Sequence, residues 1–191
     1  MGCVETMKVL LHTCCGPCLL GALGYIKEHL HDWEVFAVFY NPNIHPLEEW
    51  IRRKNGFLEV LKYENLMGFA PMIWDAKLWF GRCAASSDRC GCCYRIRFEW
   101  IANFAIKYGF KYFSTTLTIS PYQVKELIFK EATEVANNYN LEYLAVDFSS
   151  YNRYGEEKAK SLGVYRQKYC GCILSDAEAW QKKMKGGWLK L

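Results

Sequence analysis

Five short apolar runs recur along the chain: KVLLH (8–12), EVFAVFY (34–40), APMIW (70–74), KYFSTT (111–116) and LEYLAVD (141–147). Strand-sized runs of this kind, separated by stretches of helical periodicity, are the pattern of a parallel sheet, because each intervening helix carries the chain back to the same end. The expected fold is therefore α/β: one doubly wound, Rossmann-like domain with a mostly parallel sheet. Two helices read clearly. Over 94–108, Tyr94, Phe98, Ile101, Ala105 and Tyr108 share one face; after Pro121, Val124, Leu127, Ile128, Val135, Ala136 and Tyr139 do the same, with Lys125, Glu126, Lys130, Glu131 and Glu134 turned to water. With 191 residues and 51% hydrophobic content the chain is expected to build a single core rather than remain disordered, and no repeat or linker divides it.

This layout gives the ten cysteines a location. Cys14, Cys15 and Cys18 follow the first strand in LHTCCGPCLLGAL. Cys90 and Cys93 fall in the loop GRCAASSDRCGCC ahead of a helix, and Cys170 and Cys172 in YCGC. Ligands of open α/β sheets bind beyond the carboxyl ends of the strands, so three cysteine-bearing loops are expected to converge there. Neither a secretory leader nor an apolar run of about 20 residues is legible, so a cytoplasmic protein off the membrane is expected, with thiols kept reduced and metal favoured over disulfides. The opening MGCVET fits a loose myristoylation pattern, but residues 1–6 read as a frayed start. A net charge of +4 leans only weakly towards an anionic partner.

Cys15-x-x-Cys18 and Cys90-x-x-Cys93 both have chelating spacing, and Gly16-Pro17 favours the turn that adjacent Cys14 and Cys15 would need. From spacing alone three readings stay open: an iron–sulfur cluster, structural zinc, and buried unliganded thiols. Zinc knuckles usually lie within about 15 to 20 residues of each other, whereas 71 residues separate Cys18 from Cys90, and one zinc would leave Cys170 and Cys172 unused. Cys3, Cys83 and Cys92 are expected to be bystanders, with Cys92 pointing away from whatever its neighbours bind.

With HxCCxPC at 12–18, DRCxxCYxxR at 88–97, TTLTISPYQ at 115–123 and YRQKYCGCILS at 165–175, the chain resembles the QueH family of epoxyqueuosine reductases. The likeness covers a core of 7–175, leaving 176–191 as a C-terminal helical extension. It implies an enzyme that deoxygenates epoxyqueuosine to queuosine in the anticodon loop of tRNA, with an iron–sulfur cluster and no cobalamin. It also implies that Cys14, Cys15, Cys90 and Cys93 hold a [4Fe-4S] cluster, with Cys18 as the rival ligand, and that Cys170 and Cys172 form a redox-active pair. The strand–loop–helix start is similar to HUP/ATP-pyrophosphatase-like domains too, although HTCCGPC stands where their glycine-rich phosphate loop would be.

Turning an epoxide into an alkene takes two electrons and two protons and releases water, and one cluster cycles by a single electron. A second store is needed: either a Cys170/Cys172 dithiol closing to a disulfide, or an additional iron held by that pair and acting as a Lewis acid. An external electron donor, unidentified from the sequence, must recharge the site. Acid candidates are Asp88, Tyr94 and Asp147, with helix capping, core packing and turn formation as their structural alternatives. His12 is either a donor to a thiolate or a strand-end histidine bonded to backbone. For tRNA, Arg52, Arg53, Arg95, Arg97, Tyr165 and Arg166 are candidate contacts, each equally readable as part of a solvated surface. The competing functional class is a non-catalytic, zinc-stabilised RNA-binding module in which every cysteine is scaffold.

Overall fold

The computed structural model describes residues 6–184; Cys3, the MGCVET start up to residue 5, and residues 185–191 of the expected extension lie outside the described residues. Strands β1 (Met7–Thr13), β2 (Trp33–Phe39), β3 (Gly68–Phe69), β4 (Tyr112–Thr115) and β5 (Glu142–Tyr143) form one parallel sheet in the order β3-β2-β1-β4-β5. Side chains alternate across it. Leu11, Ala37 and Phe39 pack in the cluster built with α1 (Gly16–His29), α2 (Leu47–Glu64) and α6 (Asn152–Ser161). Leu10, Val38 and Phe113 pack in a second cluster with α4 (Arg89–Tyr108) and α5 (Lys125–Asn138). Burial on both faces explains why the central strands are continuous apolar runs. The doubly wound, Rossmann-like α/β expectation holds. Among the described residues, no helix is long and apolar enough to cross a membrane.

The edges differ from the sequence reading. The run 70–74 is not a strand: the ladder on β2 stops at Phe69, and Pro71 has no N–H with which to prolong it. The run 141–147 pairs only at Glu142 and Tyr143, because the hydroxyls of Ser114 and Thr118 take the carbonyls of Leu144 and Val146 at 2.8 and 2.9 Å. The helix expected to begin at residue 94 begins at Arg89, where Asp88 caps it by accepting the Gly91 N–H at 2.9 Å. Cys90 and Cys93 therefore lie in its first turn and not in a loop. Glu131, expected in water, is buried against Arg95 at 2.6 Å. Two further helices, α3 (Ala76–Arg82) and α7 (Ile173–Lys183), flank the cysteine region, and α7 supplies the described part of the extension.

Helices α1 and α6 approach so closely that a Cβ at Gly155 would lie 2.4 Å from the Pro17 carbonyl oxygen and 2.9 Å from the Gly21 nitrogen. Backbone atoms cannot swing aside as a side chain can. Gly155→Ala is expected to cost about 1–3 kcal/mol, a fall of roughly 2–12 °C in a thermal melt for a chain of this size. Gly81→Ala, also in a helix but with nothing within 4 Å of the added carbon, is the control and should leave the melt unchanged or raise it by up to about 4 °C.

Candidate metal centre

The strand order reverses between β1 and β4, and the carboxyl ends of those two strands frame the crevice where ligands of such sheets lodge. Cys14 sits directly there: Thr116, just past β4, accepts its backbone N–H at 3.4 Å and donates its hydroxyl to Cys14 Sγ at 3.7 Å. Cys15 occupies the N-cap position of α1 without a side-chain capping bond, and Pro17 sits in the first turn, where the missing N–H costs nothing. Cys18 comes round one turn later. The three sulfurs of Cys14, Cys15 and Cys18 lie within 4.8 Å of one another, and they are the one group among the described residues with such metal-holding proximity.

Crowding sets the charge of this trio. Hydrogen bonds from the Cys15 and Cys18 thiols hold Cys14 well below the ordinary thiol range. Burial and the neighbouring Cys14 push Cys15 up, and the other two sulfurs together with burial push Cys18 up. One thiolate is stabilised by two S–H groups; a second negative charge in the same space is opposed. A soft cation is what would let all three ionise, and a triad of thiols is a soft donor set.

Cys90 and Cys93 are one helical turn apart on α4, and Cys93 packs with Trp79, Cys83, Ile96 and Cys172. Burial pushes the Cys93 thiol up to about 11, against the opposing pull of Arg97. Arg97 is itself buried, donating to the Cys93 carbonyl at 3.0 Å and to its Sγ at 3.4 Å. Cys170 joins Cys14 and Cys18 in lining a cleft of about 340 Å³, whose rim carries Tyr122 and Lys168. Cys172 faces the Cys93 side and caps α7 by accepting the Ser175 N–H at 3.3 Å. Gly171 between them has φ +133, a backbone state that favours glycine, and a Cβ there would crowd Ile44, Asn43 and Arg53. The three cysteine-bearing segments thus meet at one mouth of the sheet, with Cys18 rather than Cys90 or Cys93 in the tightest contact with Cys14 and Cys15.

Several expected roles are relocated. Cys83 and Cys92, expected to be unpaired bystanders, form a disulfide that ties the end of α3 to the first turn of α4. Arg53 is buried, not phosphate-facing: it pairs with Glu49 at 2.7 Å and donates to the Cys170 and Tyr169 carbonyls, both at 3.0 Å. Arg97 is likewise spent on Cys93, and Arg95 on Glu131 and Glu134. Tyr165 donates to Glu49 at 2.5 Å. Of the six candidate tRNA contacts, Arg52 and Arg166 are exposed, the latter 3.5 Å from Glu156. Asp147 is exposed and bound to Lys125 at 2.8 Å and to the Ser149 N–H; those bonds hold its carboxyl below the usual range, which makes it a poor proton donor. Asp88 is the α4 cap. Tyr94 is buried and donates its hydroxyl to Gln123 at 2.6 Å, while burial raises its pKa.

His12 is a strand-end histidine bonded to backbone: Nε2 lies 3.1 Å from the Tyr40 carbonyl and Nδ1 2.8 Å from the Thr115 hydroxyl. Burial, reinforced by Arg97, lowers its pKa to about 3, so it stays neutral. Gln123, Thr116 and Gln167 escaped sequence reasoning. Gln123 and Thr116 lay inside TTLTISPYQ and Gln167 inside YRQKYCGC, and nothing in their residue types announced contact with sulfur.

A family model described as Epoxyqueuosine reductase QueH matches residues 9–178. Curated proteins named Epoxyqueuosine reductase QueH are similar over most of their length. That of Acinetobacter baylyi is 33% identical over 187 residues, covering 91% of this chain and 84% of the relative. That of Dehalococcoides mccartyi is 33% identical over 182 residues, covering 92% and 96%. The Staphylococcus epidermidis protein is 30% identical over 186 residues, covering 90% and 77%.

Proposed function

The chain belongs to the QueH family of epoxyqueuosine reductases, and from that membership we propose that it reduces epoxyqueuosine to queuosine in the anticodon loop of tRNA. The observation that carries this reading is the gathering of Cys14, Cys18 and Cys170 around one cleft at the switch point of the sheet, with Cys15 buried against the first two and Cys93 and Cys172 packed alongside. The thiols are soft donors and suit an iron–sulfur centre better than a hard cation. Cys14, Cys15, Cys90 and Cys93 would hold it as a [4Fe-4S] cluster, with Cys18 as the competing ligand. When bound, such a centre would supply electrons singly.

The protein's own residues have three tasks. The cleft must admit the modified base, and its size and rim of Tyr122 and Lys168 suit a planar ring on a phosphate-bearing strand. Protons must reach the departing oxygen. With Asp147 ion-paired and Asp88 spent on capping, the proton sources lining the cleft include the Cys170 thiol, kept protonated chiefly by burial, and the side chains of Tyr122 and Lys168 on its rim. Electrons must arrive in pairs. Oxidation of Cys170 and Cys172 to a disulfide releases two electrons and two protons, which balances conversion of epoxide to alkene plus water; an external donor then restores the dithiol. The same pair holding an additional iron is the other form of this reading.

Anaerobically reconstituted protein, given tRNA carrying epoxyqueuosine and a chemical reductant, is expected to yield queuosine, detected as loss of one oxygen by nucleoside mass spectrometry. A colourless, zinc-loaded protein that binds the tRNA and leaves the nucleoside unchanged would overturn the proposal in favour of a scaffold role for the cysteines.

A further inference from the structure

We propose that Gln123 is a positioning residue for the Cys170 thiol, its carboxamide locked in one orientation by Tyr94. The inference rests on the reading of the cleft given above. Gln123 Nε2 donates to Cys170 Sγ at 3.1 Å, and Tyr94 donates its hydroxyl to Gln123 Oε1 at 2.6 Å. The Tyr94 oxygen already accepts the Val124 N–H at 3.4 Å, so its proton is directed to the Gln123 carbonyl. That choice fixes which end of the amide faces sulfur. A flipped amide would set the Nε2 hydrogens against the Tyr94 hydroxyl hydrogen and Oε1 against the Cys170 sulfur.

The rest of the loop leaves this contact one variable to control. Arg53 pins the carbonyls of Tyr169 and Cys170, and Gly171 holds its own strained φ, so the Cys170 backbone is fixed and only its side-chain torsion is free. Gln123 is in turn held by the Ser120–Gln123 turn, where its N–H reaches the Ser120 carbonyl at 3.3 Å and the Tyr122 N–H reaches Ser120 Oγ at 3.3 Å. The two sulfurs of Cys-Gly-Cys are thereby kept apart in role: Cys172 answers to Ser175 on the Cys93 side, and Cys170 answers to Gln123 on the cleft side.

The test uses Gln123→Leu, of similar volume but without the donor, and Tyr94→Phe, which removes only the hydroxyl. In metal-free protein, peptide mapping after brief iodoacetamide labelling should show the ratio of Cys170 to Cys172 modification falling about 3- to 10-fold in Q123L, the worth of one hydrogen bond. Y94F should move it the same way by less, and the double variant should add little to Q123L, because the two act as one chain. In loaded protein, kcat should fall about 10-fold with KM within about twofold, as expected when a reacting group rather than binding is disturbed. An unchanged labelling ratio in both single variants overturns the proposal. Should Q123L fail to fold, Y94F alone decides. If the parent protein never reduces epoxyqueuosine, the functional reading fails while the labelling ratio still judges Gln123; if it does and the ratio is unmoved, only the positioning role falls.

Discussion

If the proposed iron–sulfur centre is correct, Cys14→Ser is expected to leave a folded protein that holds no iron and shows no turnover, a loss beyond the roughly 100-fold that removing even a residue behind a metal ligand can cost. The reason is chemical rather than steric. A serine hydroxyl is nearly the size of a thiol but does not ionise near neutrality and is a hard, poor partner for iron. Cys14 is the member of the trio that its neighbours drive towards the thiolate, and it is the sulfur tied to both strands at the switch point through Thr116. Iron and sulfide content, the visible spectrum and the nucleoside assay should fall together. Cys18→Ser separates the ligand sets. If Cys14, Cys15, Cys90 and Cys93 hold the cluster, C18S keeps its colour; if Cys18 is a ligand, C18S bleaches like C14S. A C14S protein that retains full colour would remove Cys14 from the centre.

The second large effect is expected at Arg53. Its guanidinium neutralises buried Glu49, anchors two carbonyls of the YCGC loop and lies 5.3 Å from the Tyr169 ring centroid. Arg53→Met strands an unpaired carboxylate in the interior and should cost about 3–5 kcal/mol, a drop of roughly 6–20 °C in the melting temperature. Adding Glu49→Leu removes the second charge, and because a buried ion pair is often replaceable by apolar groups, most of that stability should return. Activity should not return with it, since the Tyr169 and Cys170 carbonyls remain unheld. Recovery of both together would mean that Arg53 serves stability alone.

Arg53 also shows where sequence reasoning reaches its limit. In EEWIRRK it is indistinguishable from its exposed neighbour Arg52, and a Glu–Arg pair four apart reads as an ordinary surface contact. Only the packing of the YCGC loop over α2 makes it interior. The central strands were legible because burial on both faces leaves no room for polar residues, whereas β3 and β5 lie at the edges, where side-chain hydroxyls and a proline override an apolar run. Convergence of the cysteine-bearing segments followed from topology. Capping by Asp88 was legible, but the first turn of α4 was not, because the residues from Arg89 to Cys93 carry no apolar helical period. The bridge from Cys83 to Cys92 left no trace in spacing, and Gln123 none in composition.

Cys90 and Cys93 ride on a helix of 20 residues whose far end closes on Gly109 and whose middle, from Phe98 to Ala105, forms much of the core beneath one face of the sheet. Cys14 and Cys15 lead directly into the helix that fills the other face. An ion or cluster gripping both would span the two halves of the interior, and the unfolded chain offers it no comparable grip. Occupancy would then be thermodynamically linked to folding, and metal supply would set how much of the protein stays folded as well as how much of it reacts.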